Sequence, residues 1–279
     1  MGLFSGMEKF GLGKYNDAHI IEEEKSDADD KANVAKPKLT EEDCLFDKHF
    51  TCPVCDYPFS TKFVRAGKLK LSSKDTDMRP IYEVMDPLKY DIITCDKCGY
   101  SSLIKYFGKL STRQMRDIRD QVGNNFSGID NSMSVYSYED ALERHKLALI
   151  CAMVKKAKNS ELGYICLKTS WIYRGMRESL PEEEKDRADA LYHDELECVE
   201  NAYETFSKAL STEPLPIAGM DENTLKYLLA ELARKLKKYD EAARMIGSVI
   251  TNRSTGDRLK DQALTLKDQI KEEMKAEMP

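Results

Sequence analysis

The sequence has no apolar run of the length that a membrane-spanning helix requires, about 20 residues. Its longest apolar stretch is LALICAMV, at residues 147–154. The first residues, MGLFSGMEKFGLG, are interrupted by glycines, lack a basic cluster and carry Gly6 where myristoylation needs Ser or Thr. Because export and membrane-anchoring signals are missing, we predict a cytoplasmic protein that does not associate with membranes.

Common catalytic motifs are absent as well. The sequence contains no G-x-S-x-G elbow, no phosphate-binding P-loop and no H-E-x-x-H zinc motif. Asp75 and Asp77, in KDTDMRPIY, form a carboxylate pair near an arginine, which is the pattern that a hydrolase would offer. Because aspartates in turns more often make local hydrogen bonds, we predict that the chain is not an enzyme.

Charge is distributed unevenly along the chain. The formal net charge is −6, to which residues 1–43 contribute −5, residues 44–110 contribute +3 and the remainder −4. Since most of residues 1–43 are polar, acidic and aperiodic, we predict an acidic disordered tail there. The alternative is a docking peptide that uses the apolar side chains of this tail, Phe4, Met7, Phe10 and Leu12.

Residues 44–110 have the pattern of short strands. KFVRAGKLKL and KYDIIT alternate or cluster apolar and β-branched residues, and DTDMRP and MDPLKY supply loop signals. We therefore predict a small β-rich domain over residues 44–110. Residues 111–136, which include the Gly- and Asn-rich VGNNFSGIDNSMS, are predicted to form a linker helix and a loop.

From residue 137 the apolar pattern is helical, and it repeats. A small, a bulky and a small residue recur on one helix face in three segments: Ala141, His145, Ala148; Ala202, Phe206, Ala209; and Ala242, Ile246, Val249. We predict a tetratricopeptide-like array over residues 137–279, closed by a capping helix at RLKDQALTLKDQI, and an α+β fold that is mostly α. Gly175 is predicted to end one helix, and Ser179 with Pro181 to begin the next.

The eight cysteines suggest metal ligands or buried thiols, because disulfides are rare in a reducing compartment. Cys52 and Cys55 form one C-x-x-C pair, and Cys95 and Cys98 form a second. Two residues between the thiolates let one tight turn aim both sulfurs at a metal, and Gly99 is free to adopt a positive φ. Four thiolates complete a tetrahedral Zn²⁺ site, so we predict a structural zinc ribbon in residues 44–110, with a β insertion in the 39 residues between the two pairs.

The cysteine pattern also allows other interpretations. Iron or another metal would suit the same four ligands, and a redox pair is a further alternative, although such motifs lie between a strand and a helix. Cys44 and His49 are candidate competing ligands. The other three cysteines fall in helical patterns and are predicted to be core residues: Cys151, Cys166 and Cys198.

For function, we predict an adaptor whose helical array binds protein partners, as stacked helix pairs do. The alternative is a nucleic-acid-binding regulator, because basic residues are interleaved with aromatic ones in residues 44–110. The basic residues are Lys68, Lys70, Lys74 and Arg79, and the aromatic residues are Phe59, Phe63, Tyr82 and Tyr90.

The run from CPVCDYPF to TCDKCGY resembles a bacterial family known as domain of unknown function 2225. The paired C-x-x-C motifs, a D-x-D-x-R-P-x-Y stretch and a D-P-L-x-Y-D stretch all occur. The resemblance covers roughly residues 45–275. It implies a split zinc ribbon joined to tetratricopeptide-like helices, a bacterial cytosolic setting, and Cys52, Cys55, Cys95 and Cys98 as metal ligands, but neither a reaction nor a partner.

Overall fold

The computed structural model describes residues 39–277, in which six short strands precede seven α-helices. The strands are β1 (Leu45–Thr51), β2 (Pro58–Val64), β3 (Leu71–Lys74), β4 (Pro80–Tyr82), β5 (Ile92–Thr94) and β6 (Ser101–Leu103). The helices are α1 (Thr112–Gln121), α2 (Tyr138–Val154), α3 (Asn159–Glu178), α4 (Lys185–Thr212), α5 (Glu222–Lys235), α6 (Tyr239–Thr251) and α7 (Asp257–Glu277). The predicted fold class, α+β and mostly α, is confirmed. The predicted tail lies outside the described residues, apart from residues 39–43.

The strands form three separate antiparallel hairpins, β1–β2, β3–β4 and β5–β6. Thr51 pairs with Pro58 at the end of the first hairpin, and Thr94 pairs with Ser101 at the end of the third. Each of these two hairpins therefore closes through a C-x-x-C turn. The second hairpin is the β insertion predicted between the two cysteine pairs.

The helices pack in chain order, each from α2 to α6 against the next, and α7 also contacts α5. All nine residues of the three repeated triples are buried. The buried helix face predicted from their spacing is thus confirmed. Ala263, Leu266 and Ile270 of α7 join the same apolar core, as expected of a helix that closes the array.

Two predicted helix ends are wrong. Gly175 does not end a helix, because α3 continues through it to Glu178. A Cβ at Gly175 would lie 2.6 Å from the ring of Tyr138. Only a residue without a side chain therefore allows α2 to pack this closely against α3. Ser179 follows the end of α3 and donates its hydroxyl to the carbonyl of Met176, and α4 begins only at Lys185.

The third hairpin is attached directly to the helices. Ile92 and Leu103 of β5–β6 pack against Ala148 and Ala152 of α2 and against Ile165 of α3. The hairpins and helices of the described residues therefore form one compact unit. Within residues 39–277, no helix is both long and apolar enough to span a membrane.

Candidate metal centre

The first C-x-x-C pair occupies the turn between β1 and β2. The amide of Cys52 donates to the carbonyl of Tyr57, and the amide of Asp56 donates to the carbonyl of Cys52, both at 2.9 Å. Asp56 closes the turn in the left-handed region, with φ 56°. The amide of Val54 donates to Sγ of Cys52 at 3.4 Å. A hydrogen bond of this kind favours the thiolate form that a metal requires.

The second pair repeats this geometry between β5 and β6. The amide of Cys95 donates to the carbonyl of Tyr100, and the amide of Gly99 donates to the carbonyl of Cys95, both at 2.9 Å. The positive φ predicted for Gly99 is confirmed at 69°. The repeated unit is therefore C-x-x-C-x-Y, in CPVCDY and in CDKCGY. The shared tyrosine is a further signal in the sequence, which the spacing of the cysteines alone does not include.

The two turns bring all four predicted cysteines together. The Sγ atoms of Cys52, Cys55, Cys95 and Cys98 lie within 4.8 Å of one another. The Cys52 and Cys98 sulfurs are 3.6 Å apart, and the Cys55 and Cys95 sulfurs are 3.7 Å apart. All four are free thiols, and only Cys55 is partly exposed. Sulfurs held this close, in hairpin turns rather than between a strand and a helix, are able to hold a metal ion.

Four thiols at this separation compete for protons. Contact with the sulfurs of Cys52 and Cys98 lowers the pKa of Cys95 well below its ordinary value. Contact with Cys95 raises the pKa of Cys52, and contact with Cys52 raises that of Cys98 as well. A bound cation would remove this competition, because it stabilises every thiolate at once.

Helices α1 and α2 support both turns. Arg119 of α1 donates from Nε to the carbonyl of Val54 at 3.1 Å. Cys151 of α2 accepts the amide of Ser101 at 3.4 Å, and its Sγ lies 3.6 Å from the carbonyl oxygen of Gly99. Cys151 is buried, as predicted, but it also positions the second cysteine turn.

The two candidate competing ligands lie elsewhere. Cys44 belongs to a different apolar cluster, where burial raises the pKa of its thiol. His49 is exposed on β1. Neither belongs to the four-cysteine cluster found among residues 39–277. Cys166 is buried in the helical core and Cys198 is half-buried on α4.

Replacing Gly99 with alanine is expected to destabilise the second cysteine turn. An alanine held at a φ of 69° is expected to lower the free energy of unfolding by about 1–2 kcal/mol. Its Cβ would also lie 2.6 Å from the ring of Phe126, so this ring has to move. Asp56→Gly is the matched control, because it relieves a left-handed residue in the equivalent turn and should not lower stability. Chemical denaturation measures both variants. Equal midpoints for Gly99→Ala and the unaltered protein would contradict this account.

Asp77, one of the two candidate catalytic carboxylates, is fully buried in the turn between β3 and β4. It accepts hydrogen bonds from Arg174 of α3 at 2.5 Å and from Lys235 of α5 at 2.6 Å. Burial raises the pKa of Asp77, but Lys235 and Arg174 outweigh burial and hold the pKa well below its ordinary value. The carboxylate therefore stays ionised and anchors the second hairpin to two helices. Asp75 binds the same arginine at 2.9 Å.

The residues considered for nucleic-acid binding do not share one accessible surface. Phe59, Arg79 and Tyr90 are buried. The ring of Tyr90 is stacked on that of Tyr136, with centroids 5.1 Å apart. These side chains are consequently unable to stack on bases or to bind phosphate from the surface.

Comparison with known proteins places the chain in a family. The family model described as an uncharacterized protein conserved in bacteria, DUF2225, matches residues 45–273. Neither a curated protein nor a solved structure matches the chain at a significant level. The family match runs from β1, before the first cysteine pair, into α7. The chain therefore belongs to DUF2225, a family of uncharacterized proteins conserved in bacteria.

Proposed function

We propose that the four-cysteine cluster binds one structural zinc ion. Tetrahedral Zn²⁺ with Zn–S bonds of 2.3 Å requires sulfurs about 3.8 Å apart. The separations of 3.6 Å between Cys52 and Cys98 and 3.7 Å between Cys55 and Cys95 are close to this value. Four thiolates leave no coordination position for water or substrate. The metal would thus join two hairpin turns and would not take part in catalysis.

We further propose that the protein is a non-enzymatic adaptor of the bacterial cytoplasm that binds protein partners through its tetratricopeptide-like helices. The supporting observation is a cleft of about 810 Å³ lined by residues of α3, α4, α5, α6 and α7 and of the β3–β4 turn. We call it the charged cleft. All eight cysteines are free thiols, in keeping with a reducing compartment.

The composition of the charged cleft favours a polypeptide over a small molecule. Its walls carry both cationic and anionic side chains, including Arg177, Glu178 and Lys237. Charges of both signs suit an extended segment with several charged side chains, because such pairing sets register and specificity. The segment would exchange partners with the ion pairs of the cleft, Arg177–Glu195, Glu178–Arg79 and Lys237–Glu277. Tyr192 and Tyr239 also line the cleft. Tyrosines are enriched in protein interfaces, where they contribute large contact areas.

The test is capture of partners from a bacterial lysate by the full chain. The cleft variant carries Tyr192→Glu and Lys237→Glu, and the control variant carries Met153→Ala and Leu264→Ala, two exposed apolar residues outside the cleft. The unaltered protein and the control should retain the same partner, and the cleft variant should lose it. Circular dichroism verifies that all three chains are folded. The adaptor proposal fails if the captured proteins are the same for all three.

A further inference from the structure

A pocket of about 420 Å³ lies among the β3–β4 hairpin, α3 and the turn before α5. We call it the aromatic pocket. Most of its wall is apolar, and Tyr82, Tyr164, Leu167 and Trp171 are among the residues that line it. Pockets of this size with apolar walls and few polar groups are typical of sites for small organic molecules.

The charged groups of the aromatic pocket are both cationic, Lys74 and Lys168, and no carboxylate lines it. The ammonium of Lys168 is buried and paired with Asp91. Lys74 is exposed, and the neighbouring Asp75 is bound to Arg174 at 2.9 Å instead. Within residues 39–277, Lys74 takes part in no ion pair. The pocket therefore offers one uncompensated positive charge, which suits a ligand with a single negative charge.

The pocket wall also contains a hydrogen-bond donor without an acceptor. Trp171 is 4% exposed, and its indole Nε1–H has no hydrogen-bond partner within the described part of the chain. An unpaired buried donor costs about 1–3 kcal/mol. An oxygen atom of a bound ligand would supply the missing acceptor once the side chains that cover Nε1 shift on binding.

The backbone of the pocket wall is strained at two places. Met78 and Ala218 both line the pocket and adopt left-handed conformations, with φ 71° and φ 50°. For residues with a Cβ this conformation costs about 1–2 kcal/mol each and persists only where the surrounding structure enforces it. The turn that contains Met78 is fixed by the adjacent residue Asp77, whose carboxylate binds Arg174 and Lys235. The backbone of the wall is thus preformed, which lowers the cost of ordering the site on binding.

We infer that the aromatic pocket binds a small arylalkanoate, an aromatic ring that carries a carboxylate on a short alkyl chain. The aromatic ring packs against Tyr164 and Trp171, and the carboxylate pairs with Lys74. A monoanion fits better than a phosphate ester, because only one of the two lysines is uncompensated. This binding site differs from the charged cleft of the proposed adaptor role, because Tyr164 and Trp171 line only the aromatic pocket, although Lys74 lines both.

The test is a fluorescence titration of the full chain. Trp171 is the single tryptophan of the sequence, so tryptophan emission reports on this pocket alone. Phenylbutyrate serves as the probe and phenylbutanol as its neutral counterpart. We expect saturable changes with both compounds and about fivefold weaker binding of the alcohol, the ratio that one partly exposed ion pair supports. Isothermal calorimetry provides an independent readout.

Variants of Lys74 and Lys70 distinguish the contribution of charge to ligand binding from that of pocket shape. Lys74→Ala should weaken phenylbutyrate binding about fivefold and leave phenylbutanol binding unchanged, and Lys74→Arg should restore the affinity for the anion. Lys70→Ala is the matched control, because Lys70 is paired with Glu83 and does not line the pocket. The inference is overturned if phenylbutyrate gives no saturable signal in either readout. Equal affinities for acid and alcohol, or an unaffected Lys74→Ala variant, overturn it as well.

Discussion

Removal of the metal by a strong chelator is expected to unfold the two cysteine hairpins and to leave α3 to α7 folded. Isolated two-stranded hairpins are marginally stable at best, whereas binding of a structural zinc ion supplies on the order of 10 kcal/mol. The cysteines also form the centre of one apolar cluster, together with Ile118 of α1 and Cys151 of α2. The main helical cluster is built mostly from residues of α3 to α7 and contains none of the four cysteines.

Circular dichroism should therefore show that the chelator removes the hairpin signal before heating, and that the remaining helices still melt in a transition of their own. Hydrogen exchange should locate the chelator-sensitive part in residues 45–64 and 92–103. Cys95→Ser should behave like the chelated protein, and Cys198→Ser, which alters a half-buried thiol on α4, should behave like the unaltered one. Unchanged melting with chelator, or loss of all helical signal in the same step, is the contrary outcome.

The second large effect is expected from Asp77→Ala. This change leaves the ammonium of Lys235 without its counter-ion and removes one of three carboxylates that bind Arg174, which keeps Asp75 and Glu195. Breaking a buried pair in this way costs about 3–5 kcal/mol. Asp75→Ala is the matched control two residues away, because its side chain is 27% exposed and its loss should cost about 1 kcal/mol or less. Urea denaturation gives both values. If the two variants lose equal stability, the anchoring role assigned to Asp77 is wrong.

The same ion pairs predict a pH dependence. Because the pKa of Asp77 is lower in the folded state than in the unfolded chain, its contribution to stability is complete above the unfolded pKa, about 4. The contribution is lost progressively as the pH falls from there toward the folded pKa. The difference in unfolding free energy between the unaltered protein and Asp77→Asn should consequently be constant near neutral pH and shrink in acid. If the difference grows in acid, folding does not lower the pKa of Asp77, and the ion pairs assigned to it are wrong.

The sequence predicted those features that depend on local spacing. The cysteine pairs were found because two thiolates in one turn must be separated by a fixed number of residues. The buried helix faces were found because the helical period places Ala202, Phe206 and Ala209 on one side. Both patterns are complete within a few consecutive residues, so no knowledge of the tertiary structure was needed.

Features that depend on distant partners were not predictable in this way. Arg174 and Lys235, which neutralise Asp77, follow it by 97 and 158 residues, and nothing in their own segments marks them as its partners. The prediction that Gly175 ends a helix is wrong for the same reason, since the role of this glycine depends on the approach of Tyr138 from another helix. The aromatic pocket is assembled from three separate segments and has no signature in any of them.

The most direct test of the zinc proposal is the metal content of the full chain purified under reducing conditions without added metal. Elemental analysis should find one zinc ion per chain, and X-ray absorption should find four sulfur neighbours at about 2.3 Å. Cys95→Ser should lose the metal under the same conditions. Protein that is folded but contains no stoichiometric metal, or a metal with fewer than four sulfur ligands, would contradict the proposal.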